Sequence, residues 1–256
     1  MLSDIIEIII LSIVQGISEF LPVSSSAHLN IIEIIFKFNS NSLMIDVSLH
    51  LGSLLAIIFY FRKELVDLKN NQRLLSLIIF GSIPIIIAGY MISITGLINL
   101  LENNLRIIAW TTLIFGIALY LADKSKLDKK ISSDLNFKTI LYIGLFQILA
   151  LMPGVSRAGI TITAARLFRF SRFDSSKISF LLAIPAITGA SVLQLKSAIG
   201  QSFAFNYLIL ISITLSFLFS YFTIKFFLEY VNKFSLNVFV IYRIIISIIL
   251  FIVIYN

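Results

Sequence analysis

The sequence predicts an all-α polytopic membrane protein: six transmembrane helices plus two re-entrant helical hairpins, arranged as an inverted-topology repeat. Three observations carry that expectation. The chain has 256 residues, of which 59% are hydrophobic and 13% charged, with a mean hydropathy of +1.01. Soluble domains run nearer half apolar and roughly a quarter charged, so there are too few polar residues here to cover a water-facing surface. Six apolar stretches are long enough to cross a bilayer, and two further apolar regions are broken by polar residues, Pro and Gly.

Taken in order, the first broken region covers 5–38, interrupted by Gln15, Glu19, Pro22, Ser24, Ser25, Ser26, His28 and Glu33. Plain spans follow at 43–61, 74–101 and 107–122, and a polar stretch at 123–136 reads as a cytoplasmic linker. The second broken region, 138–170, carries Pro153, Gly154, Ser156, Arg157, Gly159 and Thr161, and spans follow at 178–195, 205–228 and 236–255. The chain is thus one membrane domain, 1–256, with repeat halves 1–122 and 137–256. Met1 to Ile10 hold Asp4 and Glu7 and no Lys or Arg, unlike the basic start of a secretory signal.

Basic residues set the sidedness. Most of them fall in four short runs, at 62–73, 123–138, 166–177 and 225–235, which marks those loops as cytoplasmic. Lys37, Arg106 and Lys196 are the sparse charges of the outer side. The net charge of +7 therefore reads as membrane topology and excludes a nucleic-acid-binding face. Both ends of the second broken region are cytoplasmic, so it enters and returns, while the first enters from the opposite face. Such inversion is the signature of duplicated membrane folds. Gln15 before Pro22-Val23-Ser24-Ser25 echoes Gln147 before Pro153-Gly154-Val155-Ser156, and Ile83-Pro84 echoes Ile184-Pro185.

Zero cysteines exclude disulfides, thiolate metal sites and a cysteine nucleophile, and two histidines leave little room for a His-rich metal site. Chemistry is expected at the two breaks, because non-helical backbone at membrane depth persists only inside protein or beside a wet cavity. Helix starts after Pro22 and after Pro153-Gly154 offer backbone N–H groups to an anion, phosphate above all. Serines at those starts can cap the helices and donate hydroxyls. Arg157 has no acid in its own segment between Asp134 and Asp174. Its partner is either an acid of the first hairpin, with Glu19 the candidate for a purely structural ion pair, or a bound anion. Gln15 and Glu19 share a helical face and could hold a hard cation, Mg²⁺ or Ca²⁺; Glu19 could equally be a general base or orient His28. His28 follows Ser25 by one turn and is read as functional; His50, beside Asp46 and Ser48, leans towards a structural role. Arg243, near the inner end of the last span, is expected to snorkel.

The run Gln15-Gly16-Ile17-Ser18-Glu19-Phe20-Leu21-Pro22-Val23-Ser24-Ser25-Ser26-Ala27-His28-Leu29 resembles the first signature of the bacterial undecaprenyl-diphosphate phosphatases, the bacitracin-resistance family. Pro153-Gly154-Val155-Ser156-Arg157-Ala158-Gly159-Ile160-Thr161 resembles the second. Leu49-His50-Leu51-Gly52-Ser53 and Phe180-Leu181-Leu182-Ala183-Ile184-Pro185 also read as family positions, so the likeness spans the chain. Gln15 stands where many members carry Glu, and Ala158 where they carry Ser. The resemblance implies hydrolysis of a polyprenyl diphosphate to the monophosphate and inorganic phosphate. That reaction recycles the lipid carrier of cell-wall synthesis at the plasma membrane, with the site open to the outer face and a divalent cation assisting. Glu19, Ser25, His28 and Arg157 are then the catalytic candidates. Ser24, Ser26, Gly154, Ser156, Arg157 and Thr161 would bind phosphate, and Glu19 with Gln15 would hold the metal. Three nucleophiles stay open: Ser25 with His28 as base, His28 itself, or water. A polyprenyl-phosphate flippase on the same scaffold is the alternative function, and the oligomeric state is left open.

The topology has a direct test in this cysteine-free chain. With Lys126→Cys and Lys196→Cys as single reporters, an impermeant thiol reagent added outside the cell should label only the second. Labelling of Lys126→Cys alone would invert the arrangement.

Overall fold

The computed structural model describes residues 2–36, 43–67, 71–96, 104–125, 129–199 and 207–255; Lys37, Lys126 and the side chain of Glu33 lie outside what is described. All the elements are helical: α1 (Leu2–Ser18), α2 (Ser25–Phe36), α3 (Leu43–Tyr60), α4 (Arg62–Asp67), α5 (Gln72–Thr95), α6 (Leu105–Asp123), α7 (Ile131–Asp134), α8 (Phe137–Gln147), α9 (Arg157–Leu167), α10 (Arg172–Ile199), α11 (Tyr207–Lys233) and α12 (Asn237–Tyr255). Among them α3, α5, α6, α10, α11 and α12 are long and apolar enough to cross a membrane. The protein is an all-α polytopic membrane protein.

Helix starts follow local chemistry. Asn71, Asn104 and Asn136 each turn a side-chain oxygen onto backbone N–H groups one turn on, opening α5, α6 and α8. Two boundaries differ most from the hydropathy reading. The span expected at 74–101 stops as helix at Thr95, because Gly96 takes a left-handed conformation (φ 67°) that closes the last turn. The span expected at 178–195 begins earlier, at Arg172, because its polar first turn is held by protein contacts instead of ending at the apolar edge. There Asp123 accepts from Arg172 Nε at 2.7 Å and from the Leu236 N–H at 3.1 Å, tying α6, α10 and the α11–α12 turn together.

The two broken regions each fold as a helix, an irregular stretch and a short second helix. At ~1.5 Å per residue, the 12 residues of α2 and the 11 of α9 reach only about half of a ~30 Å hydrocarbon core. Around them, α1 and α3 pack on α11, α8 and α10 pack on α5, and α6 pairs with α12. Small residues let these backbones approach. A Cβ on Gly16 would lie 2.5 Å from Phe219 Cβ, and one on Gly52 2.5 Å from the Ile213 carbonyl; one on Gly144 would overlap the Gly81 carbonyl of α5. Serines bridge the α3–α11 seam, with Ser216 Oγ donating to the Leu49 carbonyl at 2.6 Å and Ser220 Oγ bonding Ser53 Oγ at 2.9 Å.

Arg243 does not snorkel. It is 1% exposed and reaches inward from α12, donating to carbonyls of Pro22 (3.2 Å), Gly154 (3.0 Å), Val155 (3.2 Å) and Thr112 (3.1 Å). Pro22 belongs to the first break, Gly154 and Val155 to the second. Broken helices leave carbonyls without intrahelical partners, and one guanidinium with five donors serves both sets. Snorkelling was expected from position along the span; the demand of four backbone carbonyls overrides it.

Arg243→Met should therefore lose ~3–5 kcal/mol, because it takes the donor away from several buried carbonyls at ~1–3 kcal/mol each. That corresponds to a melting temperature lowered by roughly 6–20 °C in detergent, against no change for the exposed control Ile241→Ala. An unaltered melting temperature in Arg243→Met would contradict this role.

Candidate active site

Both breaks place a serine in a conformation that L-residues rarely adopt: Ser24 at φ 78° and Ser156 at φ 70°. Each precedes the first residue of a short helix, so the strain of ~1–3 kcal/mol turns the chain sharply before α2 and α9. Ser156 then caps α9, its Oγ accepting from the Gly159 N–H at 3.1 Å. Gly154 is also left-handed (φ 85°), and a Cβ there would collide with Thr111 of α6. Only glycine allows the second break to lie this close to α6, where Thr111 Oγ1 donates to the Pro153 carbonyl at 2.6 Å.

The two helix starts face one cavity of about 260 Å³. Glu19, Ser24, Ser25, Ser26, Ser156 and Arg157 line it, together with His50 of α3 and Gln194 of α10. Glu19 is its hub. One carboxylate oxygen accepts from Arg157 Nη2 at 2.8 Å; the other accepts from Ser25 Oγ at 2.7 Å and from Gln15 Nε2 at 3.1 Å. The Arg157–Glu19 pair joins the two breaks, as the ion-pair alternative anticipated, and Arg157 nevertheless remains part of the cavity wall. Its Nη1 reaches the Ser179 carbonyl only at 3.5 Å, so most of the guanidinium's five donors are not committed to strong internal bonds. A hydroxyl aligned on a carboxylate, beside a guanidinium and two helix N-termini, is suited to receive a phosphate and to attack it.

Other candidates lie apart from this surface. Thr161 is fully buried beneath it, bonding Ser179 Oγ at 2.7 Å and the Arg157 carbonyl at 2.8 Å. Gly154 shapes the break from behind, and Gln15 supports Glu19 from below. His28 is not brought to the cavity. Its Nδ1–H donates to the Ser24 carbonyl at 2.6 Å, and Tyr242 Oη donates to its Nε2 at 2.5 Å. The ring lines a separate apolar groove of about 460 Å³ between α1, α2 and α12. Ser25 is hydrogen-bonded to Glu19 where the sequence reading paired it with His28. Conversely, His50 lines the cavity, and its Nδ1–H donates to the backbone carbonyl of Asp46 one turn earlier at 2.9 Å.

A divalent cation finds few donors here. Mg²⁺ and Ca²⁺ take about six or more oxygen ligands, whereas the single carboxylate of Glu19 is already paired with Arg157, Ser25 and Gln15. Gln15 Oε1 is the one buried oxygen of this group without a hydrogen-bond partner. Among the described residues no cluster of three or more His, Cys, Asp or Glu could hold a metal. Gln15 and Glu19 alone do not fit a resident cation.

Likeness to known proteins extends over the whole chain. The chain is 88% identical over 256 residues to the undecaprenyl-diphosphatase of Pelagibacter ubique strain HTCC1062, covering 100% of both chains. It is 40% identical to the undecaprenyl-diphosphatase of Elusimicrobium minutum strain Pei191, over 95% of this chain and 96% of the relative. That of Campylobacter curvus strain 525.92 is 39% identical, over 96% of this chain and 98% of the relative. Residues 8–249 match the profile of the bacitracin resistance protein BacA, a match that takes in both breaks, and the chain belongs to that family.

Proposed function

We propose that the protein hydrolyses undecaprenyl diphosphate to undecaprenyl phosphate and inorganic phosphate. In this reading the site opens to the outer face of the bacterial plasma membrane and the product returns to the lipid-carrier cycle of cell-wall synthesis. The names of its relatives support the substrate. The observation that carries the reaction is the Ser25 Oγ bonded at 2.7 Å to a carboxylate whose other oxygen holds Arg157.

Ser25 Oγ attacks the terminal phosphorus while Glu19 takes its proton. The bond to the bridging oxygen breaks, and the lipid monophosphate leaves as a stable anion that needs little protonation. Arg157 and the first-turn N–H groups of α2 and α9 offset the charge that develops on the phosphoryl oxygens. Water then cleaves the phosphoserine. The cavity suits a diphosphate headgroup, while the apolar chain stays on the lipid side. A flippase has no need of a hydroxyl aligned on a carboxylate, so the hydrolytic reading is preferred.

The same reading takes the breaks as re-entrant hairpins of an inverted repeat, with halves 1–122 and 137–256. It is supported by the left-handed serines at equivalent positions and by fully buried Gln15 and Gln147. The exchanged packing of α1 and α3 on α11, and of α8 and α10 on α5, points the same way.

Phosphate release from a polyprenyl diphosphate by the detergent-purified protein is the test. Ser25→Ala should abolish it with the melting temperature preserved, and Glu19→Gln should slow it about 10²–10⁴-fold. A fully active Ser25→Ala would remove serine as nucleophile; an acid-labile phosphohistidine on rapid quench would give the role to a histidine. Arg157→Lys keeps the charge and loses the bidentate fork, so turnover should fall steeply even at saturating substrate. Wild-type kinetics in that variant would show that the pair with Glu19 only fastens the breaks together.

A further inference from the structure

We propose that His50 is the general base of the second half-reaction, taking a proton from the water that hydrolyses the phosphoserine; this rests on the reading of Ser25 as nucleophile. The need arises from proton bookkeeping. After the first step Glu19 carries the proton that came from Ser25. It can return that proton to the serine oxygen as the bond to phosphorus breaks, but it cannot accept a second one from attacking water. A second basic group on the cavity wall lets Glu19 keep its proton for the serine oxygen while water is activated.

Within the cavity wall the candidates are few. His28 is committed to the Ser24 carbonyl and to Tyr242 in the apolar groove, outside this cavity. Arg157 is a donor only. His50 lines the cavity with Glu19, Ser25 and Arg157. A carbonyl can only accept, so the 2.9 Å contact to the Asp46 carbonyl puts the proton on Nδ1 and leaves the lone pair on Nε2. That is the tautomer a base requires.

The ring is also held from behind. Its neighbour Leu49 is fully buried, and the Leu49 carbonyl accepts from Ser216 Oγ of α11 at 2.6 Å. Gly52, three residues on, lets α11 approach too closely for any side chain. The imidazole therefore projects from a closely packed helix pair, α3 and α11, and from an element that belongs to neither break. A base so placed can address the phosphoryl group independently of the helix starts that carry Ser25 and Arg157.

The step balances. Water oxygen bonds to phosphorus and the P–Oγ bond breaks. The water proton passes to His50 Nε2, Glu19 returns its proton to Ser25 Oγ, inorganic phosphate leaves, and His50 releases its proton to solvent.

The experiment uses full-length His50→Gln and His50→Ala with a polyprenyl diphosphate labelled in its terminal phosphate. Lipid monophosphate, free phosphate and label on Ser25 are followed separately after rapid mixing. The expected result is a burst of monophosphate matching the enzyme concentration and accumulation of phosphoserine. Steady phosphate release should be slowed about 10²-fold, and added imidazole should partly restore it in His50→Ala. The burst itself reports that the variant is folded and competent in the first step. Unchanged turnover overturns the assignment, and so does loss of turnover without a burst in both variants. An active Ser25→Ala fails the nucleophile reading and this inference with it. Normal His50→Gln kinetics beside a wild-type phosphoserine fails this inference alone.

Discussion

Two stretches of irregular backbone, 19–24 and 152–156, have to be kept inside an apolar protein, and Arg243 is what reconciles that demand with stability. An unpaired carbonyl buried away from water costs ~1–3 kcal/mol, and each broken helix supplies several. Arg243 meets carbonyls of both breaks from a third element, α12, which α6 holds in place. Its own burial is tolerable only because its donors are matched with acceptors. The charge that would be prohibitive alone becomes the fastening that brings two distant segments of chain to one place.

The site follows from that fastening. Once the breaks meet, the starts of α2 and α9 converge, and Glu19 and Arg157 fall within 2.8 Å of each other. The pair has a structural and a chemical side that cannot be separated. It neutralises two groups that would be expensive to bury singly, and it holds a carboxylate oxygen on Ser25 with a guanidinium alongside. In the proposed reaction an arriving phosphate would compete for Arg157, which would loosen the pair and free the carboxylate to act as a base. The strained serines belong to the same logic, since a relaxed chain at Ser24 or Ser156 would point the helix starts elsewhere.

Much of this was legible in the sequence. Spans announce themselves by apolar length, and both breaks by Pro, Gly and Ser within apolar runs. Arg157, lacking an acid nearby in the chain, pointed to an acid of the first hairpin or to a bound anion, and the acid it meets is Glu19. What failed to read were directions. His28 is one turn from Ser25, but neighbouring positions on a helix do not fix where a ring turns, and Tyr242, 214 residues away, captures it. His50 leaned towards a structural role because the wall it completes comes from elements remote in sequence. Arg243 resembled any arginine near a span end, because the carbonyls it serves, at Pro22, Gly154 and Val155, exist only once the fold has brought the breaks together.

In the proposed function both breaks bind one phosphate together. A structure with a polyprenyl diphosphate analogue whose bridging oxygen is replaced by methylene would show this. The terminal phosphate should lie between Ser25 Oγ and the Arg157 guanidinium, bonded to residues of both helix starts, with the lipid chain leaving the cavity. A headgroup bound by one break alone, or lodged in the apolar groove beside His28 and Tyr242, would contradict it.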